Sequence, residues 1–198
     1  MSRKYKFHNE SGAYFISFIH NLVICFVEFM HPLRSSATVY WLDVFTRQIY
    51  FNVLEESIDY CRAEKGMEVF AYCFMPSHVH LIFRSGNEDP SGLIRDFKGF
   101  TAKKLIKPIE ENPQESRKEW LLWMMERAGK KKSNVKQRQF WQQHNKPIEL
   151  WSEKVIQQKI DYIHNNLVES GFVTDPIDWK YSSARNYQED QTVLEIDI

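Results

Sequence analysis

The sequence predicts an α+β fold, an antiparallel sheet with helices packed on it. Three observations carry that prediction. Met67–Phe74 (MEVFAYCF) and residues 78–83 (HVHLIF) are apolar runs of strand length, separated only by Met75-Pro76-Ser77. Two such runs joined by so short a turn read as an antiparallel pair. Residues 50–65 and 89–106, on either side, carry apolar positions at helical spacing. Farther along, Ile156, Ile160, Ile163 and Leu167 repeat at intervals of 4, 3 and 4, one stripe of an amphipathic helix. At 198 residues, 43% hydrophobic and 15% aromatic, the chain is expected to form a single domain over 1–198 with a sizeable core.

In chain order, residues 14–18 (YFISF) read as a first strand. Thr38-Val39-Tyr40-Trp41-Leu42 reads as another, closed by Thr46-Arg47. Residues 19–36 between them carry Pro32 and Ser35-Ser36 and show no clear period. In the helix over 50–65, Val53, Leu54, Ile58 and Cys61 form the stripe, and Gly66 stands where a left-handed glycine ends a helix. Strand, helix, strand, strand is half of a ferredoxin-like sandwich.

Asp89-Pro90-Ser91 reads as a helix start. Leu93, Ile94, Phe97, Phe100, Thr101, Leu105 and Ile106 supply its stripe, and Arg95, Lys98, Lys103, Lys104 and Lys107 decorate its other faces. Residues 110–138 are expected to be irregular and partly basic, with a short helix over 120–128. Phe140-Trp141-Gln142 reads as a strand or an approach to one. Ser152 is a credible N-cap for a helix over 153–169, ended by Gly171. The tail around 178–184 is expected to pack on the body.

Composition narrows the function classes. Lysine plus arginine equals aspartate plus glutamate at 26 each, so no global basic field announces a nucleic-acid partner. Cys25, Cys61 and Cys73 lack CxxC spacing, which argues against a disulfide framework or a thiolate zinc site and fits a cytoplasmic protein. Residues 13–30 approach the length of a membrane span. His20, Asn21 and Glu28 interrupt them and strand propensity fits equally well, so no membrane is expected.

The chemistry-bearing residues fall in two places. His78 and His80 are two apart on a strand and share a face, while Val79, Leu81 and Phe83 turn the opposite way into a core. Two adjacent imidazoles begin a divalent metal site. Tyr162 and Asn166, at i and i+4, lie one above the other about a quarter turn from the apolar stripe. A helix docked by that stripe holds both at the edge of the interface. A hard oxygen ligand beside two imidazoles suits Mg²⁺ or Mn²⁺. A tyrosine hydroxyl there can serve as a nucleophile on a phosphate that the metal polarises. Taken singly, each residue also has a plainer reading: strand histidines, an interface tyrosine, a polar residue near a helix end. His8, His20, His31, His144 and His164 offer no usable spacing.

Residues 72–83 (YCFMPSHVHLIF) resemble the HUH motif (His, hydrophobic, His) of single-tyrosine transposases. Residues 161–173 (DYIHNNLVESGFV) resemble their nucleophile helix, and 178–184 (DWKYSSA) are similar to the tail of the REP-associated tyrosine transposase branch. The resemblance covers most of the chain from about Thr38 in element order. It implies a ferredoxin-like fold of HUH-endonuclease type, with His78, His80 and Asn166 as metal ligands, Mg²⁺ or Mn²⁺ as cofactor and Tyr162 as nucleophile. It implies single-stranded or hairpin DNA as partner. Cleavage beside a hairpin would leave a 5′-phosphotyrosine link and a free 3′-hydroxyl.

Arg95, Lys98, Lys103 and Lys104 compete with the basic run 130–138 for phosphate contacts. Trp141 is a candidate for stacking on a base. Homodimer and monomer both fit. Two departures stand out. Leu167 follows Asn166 where the family commonly has proline, and residues 19–36 appear as extra sequence splitting the first strand. The second departure keeps another reading open, a decayed or domesticated hairpin-binding protein. A small-substrate hydrolase using His78 and His80 ranks last, since the motif offers no acidic partner.

Overall fold

The computed structural model describes residues 9–17, 36–131, 135, 137–143, 147–188 and 191–197. Its elements are β1 (Tyr14–Ser17), β2 (Ser36–Ala37), α1 (Gln48–Lys65), β3 (Met67–Phe74), β4 (His78–Ser85), α2 (Pro90–Glu111), α3 (Lys118–Lys130), β5 (Ile148–Glu149) and α4 (Glu153–Glu169). The predicted α+β architecture is present. β4 is the hub of an antiparallel sheet: β3 pairs with one of its edges, β1 and β2 with the other, and β5 adds beyond β1.

The β3–β4 connection explains the hub. Met75 and His78 exchange both backbone hydrogen bonds, at 2.8 and 3.3 Å, around the two-residue loop Pro76-Ser77. Alternation along β4 then sorts its side chains. Val79, Leu81 and Phe83 join Leu54 and Ile58 of α1 and Leu93, Ile94 and Phe97 of α2 in one core. Ile82 turns the other way with Phe15, Ala71 and Cys73 to meet Ile160, Ile163 and Leu167 of α4. Each such side chain, fully buried, contributes roughly 2 kcal/mol of hydrophobic driving force. The sheet is therefore sandwiched, with α1 and α2 on one face and α4 on the other.

Caps set the helix ends where the sequence placed them. Gly66 ends α1 at φ 64°, its amide donating to the Cys61 carbonyl. The Asp89 carboxylate accepts from Gly92 N at 2.7 Å and Pro90 opens α2. The Ser152 hydroxyl accepts from Val155 N at 3.3 Å at the head of α4.

Three expectations need correction. Residues 38–42 are not a strand: Thr38 makes one bridge to Trp141, and Val39–Trp41 form a 3₁₀ turn with Tyr40 at φ 54° and Trp41 at φ 58°. Thr38 Oγ1 donates to the Leu42 carbonyl at 2.7 Å and Phe45 N to the Pro76 carbonyl at 2.8 Å, folding the segment against the hairpin tip. β-Branched and aromatic residues here mimic strand composition while the backbone bends.

Residues 110–138 are also more regular than expected. α2 continues through Pro108 to Glu111 and α3 follows. Buried Glu115 pins the connection, accepting from Arg47 Nε and Arg117 Nε at 3.1 Å each and from the Tyr50 hydroxyl at 3.2 Å. Burial pushes that carboxyl up, but the hydrogen bonds from Arg117 and Arg47 outweigh it and hold it below its usual range. Third, β5 was not anticipated, because two residues are too short for any periodicity.

The split first strand has a register. Ser17 pairs with His80, Ser36 with Val79 and Ala37 with His78. β1 and β2 thus occupy consecutive rungs on one edge of β4, with residues 18–35 of the chain between them. Of the expected insertion 19–36, Ser36 belongs to β2 and the rest lies outside the described residues, as does most of the apolar run 13–30. Among the described residues no helix is long and apolar enough to cross a membrane. The tail covers the far edge of β3: Phe74 N donates to the Tyr181 carbonyl, Ser183 N to Tyr72 and Asp197 N to Val69, at 2.9, 2.9 and 2.7 Å.

Candidate functional site

β4 alternation puts His78 and His80 on the sheet face that α4 covers. Their Nε2 atoms stand 3.1 Å apart, and the residues are 6% and 0% exposed. Ser77 Oγ lies 3.0 Å from His78 Nδ1, and the Trp41 ring meets His78 edge-on at 5.5 Å. Phe15 stacks on His80 at 6.3 Å with 7° between planes. Burial pulls His78 down to about 3 and His80 well below its ordinary value, with the neighbouring His78 adding to the second shift. Both rings are therefore neutral, the form that ligates metal.

Two ligands about 2.1 Å from a common ion, set at a right angle, stand about 3.0 Å apart. The imidazole pair fits that spacing. Among the described residues no third His, Cys, Asp or Glu joins it in a metal-holding group.

α4 brings the tyrosine to the same place. With Ile160, Ile163 and Leu167 docked on the sheet, Tyr162 stands half-buried at the edge of the interface, as its quarter-turn offset required. Its ring meets His80 edge-on at 5.7 Å and 89°, and Phe15 at 6.1 Å and 85°. Asn166, one turn on at i+4, eases the ionisation of Tyr162. Burial and the charge of Glu169 outweigh that help, so the hydroxyl is harder to ionise than a free phenol.

Lys159, which sequence reasoning passed over, completes the group. Its Nζ lies 5.6 Å from the Phe15 ring centre and 5.9 Å from that of Tyr162, and burial lowers its pKa. Its i, i+3 spacing to Tyr162 was the available signal. Trp41 was hidden for another reason, since only the unforeseen bend brings it to His78.

The other candidates scatter. Arg95 is exposed and paired with Asp96 at 3.1 Å. Lys98 is half-buried, donating from Nζ to the Gln142 carbonyl at 2.6 Å, and burial brings it down to about 7. Lys104 pairs with Glu56 at 3.2 Å, and Lys103 is exposed beside it. With Arg47 and Lys107, Lys103 and Lys104 line a cleft of about 1150 Å³ between α1 and α2, the helices on the sheet face away from the histidines.

Trp141 offers no surface to a base. It is 5% exposed, stacks on Phe45 at 5.8 Å and donates from Nε1 to Thr101 Oγ1 at 2.8 Å. The indole fills the core because its bridge to Thr38 draws the segment inward. In the run 130–138, Arg138 is taken up by Glu110 and Glu126. Residues 132–134 and 136 lie outside the described residues.

Comparisons with known proteins bear on the chain's relatives and its fold. Residues 37–126 match the family model described as "Transposase IS200 like", a region holding both histidines and stopping short of α4. A protein named as a REP-associated tyrosine transposase in Haemophilus influenzae is 29% identical over 116 residues. That match takes in 59% of this chain and 58% of the relative's length. Among solved structures, a REP-associated tyrosine transposase bound to a REP hairpin superposes with a TM-score of 0.61 at 16% identity, covering 100% of this chain and 93% of that one. The likeness there is one of fold. Family match, relative and fold point the same way: over residues 37–126 the chain is similar to the IS200-like transposases, and it shares its fold with a REP-associated tyrosine transposase.

Proposed function

We propose that this protein is a metal-dependent transposase of the tyrosine type, nicking and rejoining single-stranded DNA beside a hairpin. One observation carries the reading: two neutral imidazoles at ligand spacing, with the Tyr162 ring edge-on to one of them and Asn166 one turn along the same helix face. His78, His80 and the Asn166 carboxamide would hold Mg²⁺ or Mn²⁺, which when bound polarises a phosphate oxygen and offsets developing negative charge. Tyr162 Oη attacks phosphorus. The Oη–P bond forms, the P–O3′ bond breaks, and the proton lost by tyrosine ends on the 3′ oxygen. The products are a 5′-phosphotyrosine and a free 3′-hydroxyl, which can attack in reverse to rejoin strands. Lys159, over the Tyr162 ring, adds positive charge one turn before Tyr162 on the helix face that also carries Asn166.

Tyr162→Phe is expected to abolish the covalent protein–DNA adduct on a hairpin oligonucleotide with Mn²⁺, seen as a shifted band on a denaturing gel. Binding of the same hairpin should persist. An undiminished adduct removes Tyr162 from the role.

The register of the first strand favours a second reading. The step from Ser17 to Ser36 falls opposite His80 and Val79, beside the imidazole pair. A protein whose catalysis that interruption had disabled would still bind hairpins and form no adduct with either metal.

A further inference from the structure

A second surface leads away from the site along α3. Trp120, Trp123, Arg127, Lys130 and Lys131 fall within about 100° of the helix circumference, spaced at i, i+3, i+7, i+10 and i+11. All five are exposed, and the two indoles remain 49% and 51% open to solvent. The buried side of the same helix, Leu121, Met125 and Ala128, faces the core, so neither tryptophan is needed to seat it. Two large exposed aromatics one turn apart are an unusual expense for a surface helix and mark a binding surface.

Cations interleave with these rings. The Arg127 guanidinium sits 5.3 Å over the Trp123 ring, and Lys131 Nζ lies 5.6 Å over the Tyr40 ring. Tyr40 is 41% exposed and belongs to the 3₁₀ turn with two successive positive φ angles. The next residue of that turn, Trp41, meets His78 at 5.5 Å. The row from Trp120 to Tyr40 therefore ends one residue from the imidazole pair. Alternating aromatic faces and cations suit single-stranded nucleic acid, whose bases stack while its phosphates pair with the positive groups.

We infer that the outer face of α3, with Tyr40, is a track for the unpaired DNA strand running from the hairpin into the His78/His80 site. The inference rests on the function proposed above and names the surface that would deliver its substrate. Positive charge at Arg127, Lys130 and Lys131 is what selects a polyanion over a neutral protein partner.

The test compares one stem-loop oligonucleotide with and without a single-stranded thymidine extension, titrated by fluorescence anisotropy. Wild type should bind the extended form more tightly. Trp120→Ala/Trp123→Ala should lose about tenfold per tryptophan for the extended form and leave the bare hairpin unaffected. Arg127→Gln should flatten the salt dependence of the extended form by about 0.7 in log–log slope. All three positions are exposed, and an unchanged thermal midpoint checks that the variants fold. Equal affinity of wild type for the two oligonucleotides overturns the track while leaving hairpin binding intact, and binding of neither overturns both. If the double variant instead shifts a dimer to monomer in sedimentation without changing DNA affinity, the face serves a second copy of the chain and the inference falls.

Discussion

The two faces of the sheet are built from the same strand and do opposite work. On the α1/α2 face, β4 contributes Val79, Leu81 and Phe83 to a large apolar core. On the α4 face it contributes His78, His80 and Ile82, and the apolar cluster there is much smaller. A period of two is enough to keep stability and chemistry apart. Polar groups that would weaken a core sit one residue away from the groups that make it.

The sharpest way to break this comparison is to truncate the core side. Phe83→Ala is expected to cost about 4 kcal/mol in urea unfolding. A loss as small as that of an exposed site would mean the α1/α2 face does not carry the fold.

The next effect belongs to the other face. If His78 and His80 bind metal, Mn²⁺ at a hundred times its dissociation constant should stabilise the wild type by about 2.7 kcal/mol. His78→Ala should remove that gain, read as the metal-induced shift in thermal midpoint. An equal shift in the variant would place the ion elsewhere.

A smaller effect tests a buried ionic cluster on the α1/α2 side. Glu115→Gln should cost about 2 kcal/mol at pH 7, less than a fully buried pair because both arginines are partly open to water. The folded pKa of Glu115 lies below its unfolded value. The contribution is therefore fully present above about pH 4.5 and is lost as pH falls through the folded value. The gap between the urea midpoints of wild type and variant should narrow as pH falls below about 4.5, and a constant gap would exclude this role.

Much of this arrangement was legible in the chain because it rests on short periods. The i, i+2 histidines, the 4-3-4 stripe of α4 and the Ser152 cap are local patterns, and each stands where its pattern put it. What stayed hidden depends on contacts distant in sequence. Trp141 looked available for stacking until its bridge to Thr38 and its bond to Thr101 placed it in the core. Residues 38–42 had strand composition, yet a bend held by Pro76 decided their path. Glu115 looked like one more loop carboxylate, and only Arg47, 68 residues earlier, marks it as an anchor. Lys159 was within reach, since its spacing to Tyr162 is local.

The pairing of Ser17 with His80 and of Ser36 with Val79 has a further consequence. The sheet loses no rung where the chain departs and returns, so the hydrogen-bond ladder is indifferent to how much sequence stands between those two serines. Loop-closure entropy grows only logarithmically, by about 0.6 kcal/mol for each doubling of length. That junction is a natural place for relatives to differ in length, and for an engineered graft or deletion, without moving the histidines out of register.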